Sequence, residues 1–160
     1  MSNQNQSYLT RIANDKSHEM AEKYFKKKQI AYADYGIKSV EFMGNQMALA
    51  GLNKLILKTP DFIVLTPPKK FIEVKGCKRE FNLKVDDLKY YHYWNTAFEP
   101  MFLEIMVIDF SNNDVYIFPL DHINRLILDN HYVPKPYEND GKLRYIIPLS
   151  DWQQYKKEIV

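Results

Sequence analysis

Residues 60–76 read PDFIVLTPPKKFIEVKG, and this stretch decides how the chain folds. Two β-like runs, FIVL and FIEV, flank a proline-rich break, and three charges stand among them: Asp61, Glu73 and Lys75. An ionised side chain inside an apolar sheet is costly unless it is paired or binds something. Side chains alternate along a strand, so Asp61, Ile63 and Leu65 share one face and Phe71, Glu73 and Lys75 share one on the next strand. Pairing Leu65 with Phe71 around a loop Thr66–Lys70 sets Asp61 opposite Lys75 and Glu73 opposite Ile63. Asp61 and Glu73 become diagonal neighbours, about 7–8 Å apart at the backbone. A two-residue loop would put Asp61 on the wrong face, so the register predicts a loop with an odd number of residues.

Two carboxylates and an ammonium at one end of a hairpin suit metal-dependent phosphodiester hydrolysis. Oxygen ligands from Asp61 and Glu73, with the carbonyl of Val74, suit Mg²⁺ or, as a substitute, Mn²⁺. A bound metal acidifies water and neutralises phosphate charge, while Lys75 orients that water and stabilises the developing negative charge. The plainer alternative is a structural salt bridge between Lys75 and the acids on an exposed sheet face.

The rest of the chain frames the hairpin. Its 160 residues suit one domain, with 46% hydrophobic and 14% aromatic residues arguing against disorder. A helix is predicted over Lys16–Lys28, with Met20, Ala21, Tyr24 and Phe25 on one stripe. IAYADYG (30–36) and KSVEFMG (38–44) read as strands, whereas NQMALAGLNKLILK (45–58) reads equally as helix or as loop plus strand. KVDDLKYYHYWNTAF (84–98) reads as a helix ending before Pro100, and MFLEIMVIDF (101–110) as a central strand buried on both faces. VYIFPL (115–120) follows as a strand and DHINRLIL (121–128) as a helix capped by Asp121. LRYIIPL (143–149) is a last strand, before a helix capped by Ser150. Alternating helices and strands make this an α/β or mixed α+β sandwich.

With these elements in place, Pro60-Asp61, the twelve-residue step to Glu73 and the strand tripeptide EVK resemble the PD-(D/E)XK nuclease superfamily. That superfamily includes restriction endonucleases, archaeal-type Holliday junction resolvases and many phage nucleases. The resemblance implies a restriction endonuclease-like core, a mixed β-sheet of about five strands flanked by helices. It implies one domain over 1–160, with a core over about 16–120 and a strand–helix extension over 121–160. By resemblance Asp61 and Glu73 are the metal ligands and Lys75 the catalytic lysine of a Mg²⁺-dependent DNA endonuclease. Many members add a glutamate from the first helix. Here the candidates are Glu19 and Glu22, of which Glu19 is nearer the separation in resolvase-like members. Some also use a glutamine or lysine from the helix after the motif, where Lys84 is available.

DNA is the expected partner. Residues 1–98 carry 16 Lys/Arg against 10 Asp/Glu, and residues 99–160 carry 6 against 10, so a polyanion would be held to one side. Lys78 and Arg79 after the motif, and Lys69 and Lys70 at the hairpin tip, are candidate phosphate contacts. The run YYHYW (90–94) has the rings to stack on unpaired bases, although its helical spacing favours core packing. Cutting two strands makes a homodimer an expectation.

Other chemistries are set aside. Four dispersed histidines show no metal-ligand spacing, and five glycines form no phosphate loop. The single Cys77 excludes an internal disulfide, and no run reaches the roughly 18 apolar residues of a membrane span. A soluble, cytoplasmic protein is expected. Two competing readings drop the activity: a nucleic-acid-binding module of the same fold, and a protein–protein adaptor.

Overall fold

A computed structural model describes residues 16–36, 53–137, 141–152 and 157–159. The predicted strand at 38–44 and most of the ambiguous segment 45–58 lie outside them. The described elements are helix α1 (16–27), β1 (Tyr32–Asp34), a one-turn helix α2 (Lys54–Leu57), β2 (Phe62–Val64), β3 (Lys70–Cys77), β4 (Glu80–Lys84), α3 (Val85–Ala97) and β5 (Phe102–Asp109). They continue with β6 (Asp114–Pro119), α4 (Leu120–Asp129), β7 (Lys135–Pro136), β8 (Leu143–Pro148), a 3₁₀ turn (Leu149–Trp152) and β9 (Lys157–Ile159).

One six-stranded sheet runs in the order β1-β2-β3-β5-β6-β9. Only β3 and β5 are parallel. A parallel pair needs a long crossover, here supplied by β4 and α3. The sheet is mixed and flanked by helices, as expected; β9 is a short sixth strand.

Alternation along β3 and β5 sorts the core into two layers. Ile72, Val74, Met106 and Ile108 face α1, whose Met20, Ala21, Tyr24 and Phe25 are all buried against them. Phe71, Leu103, Ile105 and Val107 face the other way, onto Tyr91 and Trp94 of α3 and Ile123 of α4. The even-numbered residues of both strands thus pack on α1 and the odd-numbered on α3 and α4. Glu73 and Lys75 belong by parity to the second layer, beneath α3.

The structure corrects the hairpin register. Ile63 pairs with Phe71 and Phe62 with Ile72, so the turn is Leu65–Lys69, one residue earlier than predicted but still odd in length. Ala31 explains the slide: its carbonyl takes the Leu65 N–H, and its own N–H donates to Thr66 Oγ1, drawing Leu65 out of the ladder. A two-residue change in register keeps every side chain on its face. It also brings Asp61 level with Glu73 instead of Lys75.

Three further expectations change. Residues 80–83, unassigned in sequence, and Lys84, expected to open the next helix, form β4, which pairs with β8 and through it β7 in a separate three-stranded sheet. Helix α4 begins at Leu120, with Pro119 at the cap position; Asp121 sits in the first turn and does not cap it. Ser150 lies inside the 3₁₀ turn and not at a cap, and residues 153–156 of the helix expected after it lie outside the described residues. In that turn the Trp152 ring stacks on Phe118, centroids 4.3 Å apart. Ile147, Leu149 and Trp152 belong to the same apolar cluster as Leu103 and Phe118.

Candidate active site

Asp61 is fixed from four directions. The backbone N–H groups of Tyr35 and Gly36 donate to its carbonyl at 2.9 and 3.1 Å. Gly36 comes so close that an added Cβ would lie 3.1 Å from Asp61 Cα, a contact that only glycine avoids. The carboxylate accepts the Val74 N–H at Oδ2, 2.7 Å, and faces His18 Nε2 at Oδ1, 3.1 Å. The N–H and C=O of one strand residue point to the same edge. The carbonyl of Val74 is therefore turned towards Asp61, beyond the end of β2.

Glu73 is buried, and its Oε1 takes both Lys75 Nζ at 2.6 Å and the Tyr91 hydroxyl at 2.9 Å. No described residue donates to its Oε2. Burial, and then the neighbouring charge of Asp61, push the Glu73 carboxyl up to about 7, against the pull of Lys75. Burial works against the Lys75 ammonium, but Glu73, Tyr91, Asp61 and Asp87 together hold its pKa well above the ordinary lysine value. Lys75 therefore stays charged near neutral pH, a cation with N–H groups to donate. The Tyr91 hydroxyl is likewise pushed well up, first by burial and then by Glu73, so it remains a neutral donor.

The donor set fits a hard divalent cation. Two carboxylates stand beside a main-chain carbonyl, and the charge of Asp61 adds to the cost of ionising Glu73. Among the described residues no group of three or more His, Cys, Asp and Glu side chains is arranged to hold a metal. Asp61, Glu73 and Val74 would hold an ion that keeps several waters, as Mg²⁺ does.

The other predicted residues are distributed as follows. Glu19 is exposed and pairs with Lys23 one turn on, at 2.7 Å, so the structure does not bring it to Asp61. Glu22 reaches Lys26 and the Tyr32 hydroxyl instead. Lys70 is not a free tip residue: it pairs with the buried Glu104 at 2.6 Å, on the α1 side of the sheet. Lys69 and Lys78 are exposed. Arg79, with φ 64°, lines a cavity of about 690 Å³ shared with Asp109 and Asp114. Lys84 precedes α3 and lines a cavity of about 250 Å³ with Lys58, Asp87 and Lys142. Asp87, paired with Lys58 at 2.5 Å, lines that cavity and is one of the charges acting on Lys75.

Three residues of the site escaped sequence reasoning. His18 lies one position from Glu19 and carries no motif. Tyr91 was legible as core, and it is 2% exposed, but its hydroxyl faces Glu73. Asp87 lies four residues before Tyr91, so both project from one face of α3. That spacing was the only available signal.

No protein-family profile matches the chain, and no curated protein sequence matches it. Among solved structures it is similar to Hjc, a Holliday junction resolvase from Archaeoglobus fulgidus, with a TM-score of 0.54 and 13% identity over 89% of this chain and 91% of that one. It is also similar to D212, a nuclease from a fusellovirus, with a TM-score of 0.52 and 9% identity over 91% of this chain and 85% of that one. The chain has the restriction endonuclease-like fold of the PD-(D/E)XK nucleases. No described helix is long and apolar enough to cross a membrane.

Proposed function

We propose that this protein is a Mg²⁺-dependent DNA endonuclease that hydrolyses phosphodiester bonds, with Mn²⁺ able to substitute. The observation that carries the reading is the convergence of Asp61, Glu73 and Lys75 at one strand end in a fold shared with two nucleases. When bound, the cation would supply an acidified water and charge neutralisation at the phosphate. Asp61 and Glu73 present its oxygen ligands, and the Val74 N–H holds the Asp61 carboxylate in place. Lys75, kept protonated, donates towards the attacking oxygen and offsets the charge that develops on phosphate. Tyr91 fixes the Glu73 rotamer through its hydroxyl. The positive balance of residues 1–98 supports DNA as substrate.

Nicking of supercoiled plasmid by wild-type protein tests the reading. Relaxed product is expected in Mg²⁺ and in Mn²⁺ and none in EDTA. Binding without cutting, on plasmid, branched and single-stranded DNA alike, would favour the inactive binding module instead.

His18 is assigned here as a positioning residue for Asp61. His18→Ala is expected to raise the Mg²⁺ concentration for half-maximal nicking by about tenfold, the scale of lost outer-shell support in metal sites. The rate at saturating metal should change little, and His18→Gln should restore much of the affinity. A fall in maximal rate at unchanged metal affinity would refute this role.

A further inference from the structure

Five aromatic rings crowd against the candidate site, and three of them are left half in solvent. Phe71 and Trp94 form a buried base, ring centroids 5.3 Å apart. Phe98 lies parallel on Trp94 at 4.8 Å and 11°. Tyr35 stands edge-on to the same indole at 5.8 Å, and Tyr93 at 6.2 Å. Tyr35, Tyr93 and Phe98 are 40%, 44% and 41% exposed, a ledge of rings set around that buried base. The Trp94 indole N–H, shut away from solvent, has no acceptor among the described residues.

The position of the ledge is set by the site itself. Tyr35 donates its backbone N–H to Asp61. Phe71 precedes Glu73 by two residues on the same face of β3, about 7 Å along a strand. Trp94 follows Tyr91 by one helical turn on α3, and Tyr91 bonds Glu73. The ledge therefore begins within about one nucleotide's length of the carboxylates.

We infer that this ledge is a stacking platform for unpaired bases, so that the substrate is DNA with single-stranded or splayed nucleotides next to the scissile phosphate. The inference rests on the nuclease reading for where that phosphate sits. Intact duplex hides its base faces and offers phosphates and groove edges, to which aromatic rings contribute little. An unpaired nucleotide offers a π-face joined to its phosphate, and stacking on aromatic side chains tolerates any sequence. Charge agrees with that occupant: all five rings lie in residues 1–98, the stretch with 16 Lys/Arg against 10 Asp/Glu.

The test is binding in EDTA, where nothing is cut, of a fluorescein-labelled oligo(dT) and of a hairpin duplex of equal length. Wild type is expected to hold the oligo(dT) at least tenfold more tightly than the duplex. Tyr93→Ala and Phe98→Ala should each weaken oligo(dT) binding by about tenfold and leave duplex binding unchanged. Tyr93→Phe and Phe98→Tyr, which keep the ring, should retain tight binding, so a poorly folded alanine variant does not decide the matter. Equal losses on both DNAs, or no loss on either, would overturn the platform. So would self-association that Tyr93→Ala abolishes while oligo(dT) binding is untouched, since the ledge would then serve a second copy. Ring-dependent binding of oligo(dT) with no cutting of any DNA in Mg²⁺ or Mn²⁺ would keep the platform and sink the nuclease reading alone.

Discussion

Lys75→Ala is expected to cut the nicking rate by at least 10²–10³-fold at saturating metal, the loss seen when one donor to a developing oxyanion is removed (about 2.7–4 kcal/mol). Raising Mg²⁺ or Mn²⁺ should not restore it, because the lost group works on the attacking oxygen and the phosphate. Asp61→Asn separates the two roles. The Asn carbonyl can still accept the Val74 N–H, which now reaches Asp61 Oδ2 at 2.7 Å, so the fold should tolerate it. The charge that draws a cation is gone, however. Activity should fall comparably at low metal and recover partly at high Mn²⁺. Lys75→Ala should also destabilise the metal-free protein, since it leaves Glu73 buried without its ammonium. Removing one partner of a fully buried pair costs about 3–5 kcal/mol. The Lys75 side chain is 32% exposed, so solvent screening reduces this to about 1–3 kcal/mol. Lys75→Met, which fills the same space, separates lost packing from lost charge. Rates within tenfold of wild type for both Lys75 variants would remove Lys75 from the mechanism.

The fold was legible where burial controls the pattern. The α1 stripe and the β5 run are apolar in sequence because each is packed in the core, and both appear within a residue or so of their expected bounds. The facing of Glu73 and Lys75 followed from strand periodicity alone, and it survived a two-residue error in register because parity is preserved. What failed was set by partners distant in sequence. Ala31 decides where the hairpin turns, and β4 exists because β8 pairs with it. The site divides the same way. Asp61, Glu73 and Lys75 lie on one hairpin and were readable together. His18, Asp87 and Tyr91 reach them from helices whose docking angle no local pattern encodes. A helix glutamate was the expected partner for Asp61, but its neighbour His18 is the residue that α1 turns inward, leaving Glu19 in solvent with Lys23.

The stability of the metal-free protein should fall as pH rises from about 4.5 to about 7, and a divalent cation should reverse that trend. Glu73 titrates near 7 in the fold, raised from an ordinary value of 4.5 by burial and by Asp61. Between those two pH values the unfolded chain has released this proton and the folded protein has kept it. The unfolded state then binds fewer protons, so stability drops with rising pH. The contribution is complete below the lower value, shrinks through the window and is gone above the upper one. Its full size is at most about 3 kcal/mol at 1.36 kcal/mol per pKa unit, with Lys75 sharing part of it. Metal binding requires the ionised carboxylate and expels the proton. Apparent affinity should therefore rise by up to about tenfold per pH unit within the window and level off above it. Thermal melts at pH 5.5 and 8, with and without Mn²⁺, read both effects. Without metal the protein should melt higher at pH 5.5; with Mn²⁺ in hundredfold excess over Kd the gain at pH 8 should be about 2.7 kcal/mol. Glu73→Gln supplies the control, since it removes the titrating group while keeping an acceptor for Lys75 and Tyr91. It should abolish most of the pH trend and most of the Mn²⁺ shift together. If the trend persists in Glu73→Gln, other groups carry it, and the paired carboxylates are not the site where the cation and the proton compete.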